Sequence, residues 1–257
     1  MTEFPSFDLS GRVALVTGAA RGLGRAISLA LAHAGADVAL GLRTAGSADD
    51  LVAEIEAMGR KALPLAMDVT DLGQAQAGID KTIETLGSVD ILVNNAGGGC
   101  PEKHAEDVPV EDFDHTVAVN LKGLYFTSQF AARFMIRQGF GRIINISSQA
   151  GHVALPGESV YCMTKAGVSH LTKCFAVEWG KYGITVNAVA PTFIATPGTE
   201  EMLADEAFHA DVLDRIAALH RIGKPVEVAG AVVFLASPAA SLITGDTIMI
   251  DGGWTAR

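Results

Sequence analysis

Positive charge is scarce and dispersed in this chain. Its 257 residues hold 19 Lys and Arg against 29 Asp and Glu, a formal net charge of -10, with no Lys/Arg cluster anywhere. Nucleic acids and anionic membranes both need a positive field, so neither is an expected partner. Cysteine is as sparse. Cys100, Cys162 and Cys174 form no CxxC spacing and no even set, which argues against a disulfide framework, and the seven histidines add no zinc-ligand pattern. No metal is expected. Nothing cationic adjoins Cys100, which reads as an incidental loop thiol, and Cys162 follows Tyr161 but points elsewhere on the same helix. No apolar run approaches the ~20 residues that span a bilayer, and residues 1–8 carry neither the basic stretch nor the apolar core of a signal peptide. A cytoplasmic protein with a small-molecule substrate is the expectation.

Linkers, charge blocks and fixed-period repeats are missing too, so residues 1–257 read as a single domain. What the chain does have is alternation. Short β-branched runs predict strands over 12–17, 37–42, 61–66, 89–94, 141–147, 184–189 and 247–251. Helical periodicity fills 22–34, 49–58, 72–86, 111–137, 159–180 and 226–236 between them. Gly35, Gly59 and Gly87 stand where helices should end, and Pro225 suits a helix's first turn. Strand–helix alternation of this kind implies an α/β Rossmann fold, a seven-stranded parallel sheet with helices on both faces. The stretch 192–221 is polar, acidic and strand-free, and it lies where a substrate lid could sit.

The first predicted strand ends at Thr17, and Gly18, Arg21, Gly22, Leu23 and Gly24 follow at the helix start. Missing side chains there let backbone N–H groups and the positive helix end approach a pyrophosphate, although a tight turn alone would use the same glycines. The second strand ends in an apolar residue where an acidic one would grip a ribose 2′-hydroxyl, and Arg43 comes next. Arg43 and Arg21 could together meet a 2′-phosphate, so NADP(H) is preferred and NAD(H) is possible, with Arg43 as a solvated strand-end charge the other reading. Asp68 and Val69 end the third strand. Asp68 could accept a hydrogen bond from an adenine amino group or cap the helix beginning at 72. Asn95, Ala96 and Gly97 close the fourth strand with small and amide groups that an ordinary turn also uses.

Tyr161 and Lys165 are four residues apart and Ser148 lies thirteen before the tyrosine. Spacing of four on a helix puts an ammonium beside a phenol that otherwise ionises near pH 10, which suits the phenol to acid–base catalysis. Taken singly, the pair would read as an amphipathic helix with a snorkelling lysine. The serine spacing and the glycine loop favour chemistry.

From Gly11 to the end, these motifs in this order resemble the short-chain dehydrogenase/reductases of the compact single-domain type. The carrying residues are Thr17 to Gly24, Asn94 to Gly97, Asn120, Ser148, Tyr161 with Lys165, Val186 with Asn187, and Pro191. The resemblance implies a catalytic tetrad of Asn120, Ser148, Tyr161 and Lys165. In it Ser148 holds the substrate oxygen, Tyr161 moves the proton, Lys165 favours the tyrosinate and binds the nicotinamide ribose, and the backbone of Asn120 holds a water. It also implies a nicotinamide clamp at Pro191, Ile194 and Thr196, with one departure, Thr192 where the family has glycine. A homotetramer packed through the helices near 111–137 and 159–180 is a further implication.

The tail from Val212 to Arg257 and the stretch from Ala154 to Gly157 resemble members acting on sugar acids and polyols. The implied reaction interconverts a secondary alcohol and a ketone on a sugar acid, sugar or polyol. A 3-oxoacyl-carrier-protein reductase is the alternative in the same chemical class. Its arginine docking places correspond to Gly139, Phe140 and Tyr182 here, and the negative net charge opposes an acidic carrier. A non-catalytic cofactor-binding regulator is the alternative of another class. His152 reads as solvent-facing or as a polyol contact, and Arg257 as a tail residue that could pair with a substrate carboxylate across subunits.

Overall fold

The structure is a computed structural model that describes residues 4–44, 46–99 and 102–256. Cys100 and Arg257 lie outside the described residues. Strands β1 (Val13–Thr17), β2 (Asp37–Leu42), β3 (Ala62–Ala66), β4 (Ile91–Asn94), β5 (Gly141–Ile146), β6 (Ile184–Pro191) and β7 (Thr247–Ile250) form one parallel sheet in the order β3-β2-β1-β4-β5-β6-β7. Each strand is followed by helix or loop that returns the chain to the sheet's other end, which is why every pairing is parallel.

The helices are α1 (Gly22–His33), α2 (Asp49–Ala57), α3 (Leu72–Leu86), α4 (Val110–Val117), α5 (Leu124–Gln138), α6 (Ser159–Trp179), α7 (Glu200–Leu203), α8 (Glu206–Arg215) and α9 (Pro225–Ala236). Successive strand residues feed opposite faces. Ala14, Val16, Val38, Leu40, Ile91 and Val93 pack with Ile27 and Leu31 of α1, Leu51 and Ile55 of α2, and Val232 and Leu235 of α9. Leu15, Ala39, Leu92, Ile143 and Val186 pack instead with Ile79 of α3, Met135 of α5 and Phe175 of α6. Alternation at period two therefore serves two helical layers, and both strand faces are apolar because both are covered.

Pro64 sits in β3, whose outer edge has no partner strand, so its missing N–H costs no ladder bond. The expected helix caps are in place, with left-handed backbone at Gly35 (φ 107°), Gly59 (φ 74°) and Gly87 (φ 89°) and Pro225 opening α9.

Two expectations need correction. The helix expected over 111–137 is α4 and α5 joined by a π-helical stretch, Ala118–Gly123, that contains Asn120. The cap of α3 is Asp71, whose carboxylate accepts from the amides of Gly73 and Gln74, and not Asp68. The segment 192–221 carries no strand, as expected, and holds α7 and α8. Its Phe193, Phe208, Val212 and Ile216 pack against Trp254, Val153 and Leu155 in a third apolar cluster. No described helix is long and apolar enough to cross a membrane.

Candidate active site

Because β1 lies between β2 and β4, the chain leaves the sheet in opposite directions on either side of β1, opening a crevice at the carboxyl ends of these strands. The loops after β1, β4, β5 and β6 line that edge. Gly18 (φ 65°) and Gly22 (φ 56°) hold left-handed backbone, and a Cβ at Gly24 would overlap the carbonyl oxygen of Gly18 and lie 2.6 Å from Asn95 Nδ2. Helix α1 begins at Gly22 with no side-chain cap from Arg21 and no acidic residue in its first turn. α3 and α8, by contrast, are capped by Asp71 and Asp205. A glycine cradle below an uncapped helix start fits a dinucleotide pyrophosphate, since free N–H donors and the positive helix end face the same space.

Asn95 secures the cradle more than its sequence context suggests. Its Nδ2 donates to the carbonyls of Thr17 (2.9 Å) and Gly18 (3.1 Å), while the Thr17 hydroxyl accepts from the amides of Asn95 and Ala96 at 3.0 Å each. Thr17 thereby couples β1 to β4, a role its place in the motif does not announce. Arg21, in the glycine loop, and Arg43, just past β2, are both exposed. Asp68 accepts from the backbone N–H (2.9 Å) and hydroxyl (2.7 Å) of Thr70, and these bonds hold its carboxyl below the usual range, with the charge of Arg43 adding to them.

Asn120 and Lys165 flank Gly97, whose Cβ position would lie 3.1 Å from Asn120 Oδ1 and 3.3 Å from Lys165 Nζ. Asn120 Oδ1 accepts from the amide of Gly98 (3.0 Å), and its Nδ2 donates to the Gly98 carbonyl (2.8 Å) and to Thr164 Oγ1 (2.9 Å). The π-helical turn is what brings this side chain to the loop, by adding a residue to the local helical repeat. Ser147 and Ser148 part company after β5. Ser147 turns into α6, bonding Ser169 Oγ at 2.7 Å, whereas Ser148 lies against the Tyr161 phenol and donates to Gln149 Oε1 at 2.7 Å.

Burial governs the titrations here. The Tyr161 phenol is pushed up to about 12 by burial, against the downward pull of the Ser148 hydroxyl and with Glu158 raising it further. Lys165 is pushed down to about 8 by burial, and its Nζ donates to the carbonyl of Ile146 at 2.8 Å, 5.6 Å from the centroid of the Tyr161 ring. Burial thus favours the protonated phenol.

Beyond β6, Ile194 bridges to Gly223, and Thr199 Oγ1 holds Ile194 O at 2.6 Å while accepting from the amide of Thr196 at 3.1 Å. Thr196 reaches back to the cradle, its Cβ 3.5 Å from where a Gly22 Cβ would be. The start of the 192–221 segment thus touches the glycine loop. His152 takes no part in this gathering. It contacts Ser169 at 3.4 Å and lines a separate cavity of about 300 Å³ with Ala166, His170, Lys173 and Asp246. No group of three or more potential metal ligands occurs among the described residues.

The family described as enoyl-(acyl carrier protein) reductase matches residues 18–255, nearly the whole chain. The chain belongs to the short-chain dehydrogenase/reductases. It is 41% identical over 251 residues to gluconate 5-dehydrogenase of Gluconobacter oxydans (strain 621H), covering 97% of this chain and 96% of that protein. It is 42% identical over 245 residues to a 3-oxoacyl-[acyl-carrier-protein] reductase of Thermotoga maritima, covering 95% and 98%. Among solved structures, a gluconate 5-dehydrogenase from Burkholderia cenocepacia J2315 in complex with NADP and tartrate superimposes with a TM-score of 0.94 at 36% identity, over 98% of each chain.

Proposed function

We propose that this chain interconverts a secondary alcohol and a ketone on a sugar, sugar acid or polyol, using NADP(H) in preference to NAD(H). The observation that carries the reading is the convergence of Ser148, Tyr161, Lys165 and Asn120 beside Gly97, directly across the crevice from an uncapped, glycine-lined helix start.

Gly18, Gly22, Leu23, Gly24 and the amides of α1 would hold the pyrophosphate, and Arg21 and Arg43 the 2′-phosphate. Asp68, Val69, Asn95, Ala96 and Gly97 would line the adenosine and ribose path, and Pro191, Ile194 and Thr196 would meet the carboxamide. A bound nicotinamide supplies or accepts the hydride. The chain's side chains move the proton. In reduction the neutral Tyr161 phenol gives its proton to the carbonyl oxygen while Ser148 donates a hydrogen bond to that oxygen. In oxidation a tyrosinate takes the proton from the substrate hydroxyl. Lys165 holds the nicotinamide ribose and its ammonium favours the tyrosinate, while Asn120 fixes the loop that carries Gly97 and Gly98. Segment 192–221 acts as the lid, and the working unit is a cytoplasmic homotetramer packed through α4, α5 and α6.

The 42% identity to a 3-oxoacyl-carrier-protein reductase supports a second reading in the same chemistry. Gly139, Phe140 and Tyr182 offer no arginines to an acidic carrier, which favours the small polyhydroxylated substrate. The test is a panel of polyols, sugar acids and 3-oxoacyl thioesters, scanned with both nicotinamides at 340 nm on the chain and on Tyr161→Phe. Turnover of thioesters alone, or unchanged turnover in Tyr161→Phe, rules the reading out.

A further inference from the structure

Two carboxylates, half-buried Glu158 beside the Tyr161 ring and exposed Glu102 beside Gly157, have no ion pair among the described residues. Glu158 precedes Tyr161 by three residues, just ahead of the first residue of α6, and its Oε2 lies 3.2 Å from the position a Gly99 Cβ would occupy, where the Tyr161 ring is 3.8 Å away. That places the carboxylate, the phenol ring and the β4 loop around one small space. The amide of Lys103 donates to the carbonyl of Gly157 at 3.0 Å, and this bond folds the neighbouring Glu102 over Gly157, whose Cβ position is 2.9 Å from Glu102 Oε1. Neither Glu158 nor Glu102 has a side-chain hydrogen bond or ion pair among the described residues. Burial, and then the charge of Glu102, raise the carboxyl of Glu158 above its ordinary range, and Glu158 in turn raises Tyr161.

The cations that could offset them are already engaged. Lys103 pairs with Asp112 at 2.6 Å, Arg215 with Asp211 at 2.7 Å, Arg221 with Glu227, and Lys165 is buried against Ile146. Leu155 and Val153, from the segment that leads to Glu158, pack with Phe193 and Trp254 in an apolar cluster. A carboxylate-bearing substrate would bring like charge to this space, where none of the cations named above is free to receive it. A polyol would bring hydroxyl donors that unpartnered carboxylates accept, and specificity of this kind rests on a repulsive element as much as on an attractive one.

We propose that Glu158, assisted by Glu102, is a specificity-determining residue that admits uncharged polyols or sugars to Tyr161 and turns away the corresponding sugar acids. This rests on the alcohol–ketone reading given above and narrows its substrate class.

The experiment pairs substrates carbon for carbon, with erythritol, xylitol and sorbitol set against erythronate, xylonate and gluconate. Each is assayed with NADP+ at 340 nm on the wild type, Glu158→Gln and Glu158→Gln/Glu102→Gln. Binding of sorbitol and gluconate to the NADP+-loaded Tyr161→Phe protein, measured by calorimetry, supplies a readout that needs no turnover. The expected result is a polyol preference of about tenfold or more in kcat/KM in the wild type, the size that roughly 1.4 kcal/mol of repulsion gives. The preference should narrow stepwise in the single and double variants, with KM for the acids falling. A wild-type preference for the acids, or a ratio unmoved by either variant, overturns the charge selection and leaves the alcohol–ketone reading standing. Turnover of neither series, with 3-oxoacyl thioesters accepted, removes both. Because Glu158 makes no bond that glutamine would break, the variant is expected to fold, and its melting temperature checks this.

Discussion

One amide side chain satisfies both backbone polar groups of a loop residue: Asn120 accepts from the N–H of Gly98 and donates to its C=O, at 3.0 and 2.8 Å. Asn120 is 1% exposed, so no water replaces these bonds when the side chain is removed. Asn120→Leu should destabilise the fold by about 2–4 kcal/mol, because it leaves Gly98 and Thr164 groups unpaired in a buried site. Asn120→Asp keeps the acceptor and loses the donor, and should fall between the two. Guanidinium unfolding midpoints of the three proteins check the order, and an unchanged midpoint in Asn120→Leu would show that the loop is held by other contacts.

Lys165 carries a pH signature. Its ordinary value of 10.5 falls to about 8 in the folded chain because burial disfavours the ammonium. Between these values the unfolded chain binds the proton and the folded one does not, so stability rises with pH across that window, by about 3 kcal/mol if the whole shift is realised. Below pH 8 both states are protonated and the contribution is flat. Lys165→Met should abolish the rise. Unfolding free energies of wild type and variant at pH 7.5 and 9.5 give the comparison, and wild type should lose stability relative to the variant as pH falls from 9.5 to 7.5. Tyr161, at 10.0 when unfolded and about 12 when folded, acts in the opposite sense only as pH approaches 10, so the comparison stops at pH 9.5.

Much of the fold could be read from the chain because strand and helix periodicities here agree with the punctuation. The runs ending at Thr17, Leu42 and Asn94 are apolar on both faces, as strands covered by two helical layers must be, and Gly35, Gly59 and Gly87 end helices where left-handed backbone is needed. The residues proposed for the site could be named because glycine, tyrosine and lysine at fixed separations leave few other uses. What stayed hidden depends on contacts distant in sequence. The π turn at Asn120 is set by its bonds to Gly98 and Thr164 and not by local propensity. Asp71 and Asp68 are equally good cap candidates by composition, and only the backbone direction chooses Asp71. Glu158 looks like a surface acid until the fold sets it beside the Tyr161 ring, with the Lys103–Gly157 bond bringing the charge of Glu102 near it.

Arg43 is exposed, close enough for its charge to act on Asp68, and free of any side-chain bond among the described residues. A guanidinium in that position can grip a 2′-phosphate without first breaking an internal pair. Arg43→Ala should therefore raise the Kd for NADPH by about tenfold or more, while the Kd for NADH changes by less than about threefold, in line with the loss of one charge-assisted contact. Fluorescence titration of both dinucleotides measures this directly. Equal losses for the two would make Arg43 a general surface charge, and the preference for NADP(H) would have to rest on Arg21.

Thr192 stands where the resemblance implies glycine, and its hydroxyl is buried with no partner among the described residues, although its backbone N–H donates to the carbonyl of Ile250 at 3.1 Å. An unsatisfied buried hydroxyl costs about 1–3 kcal/mol, and valine has the same shape without the polar atom. Thr192→Val should raise the melting temperature by about 2–4 °C, the shift that roughly 1 kcal/mol gives in a domain of this size. Thr192→Gly should lower it instead, since glycine frees the unfolded chain and removes packing at the start of the segment proposed as a lid. A lower melting temperature in Thr192→Val would mean that the hydroxyl is bonded in solution, and the departure from glycine would then be a polar contact at the mouth of the crevice and not a tolerated cost.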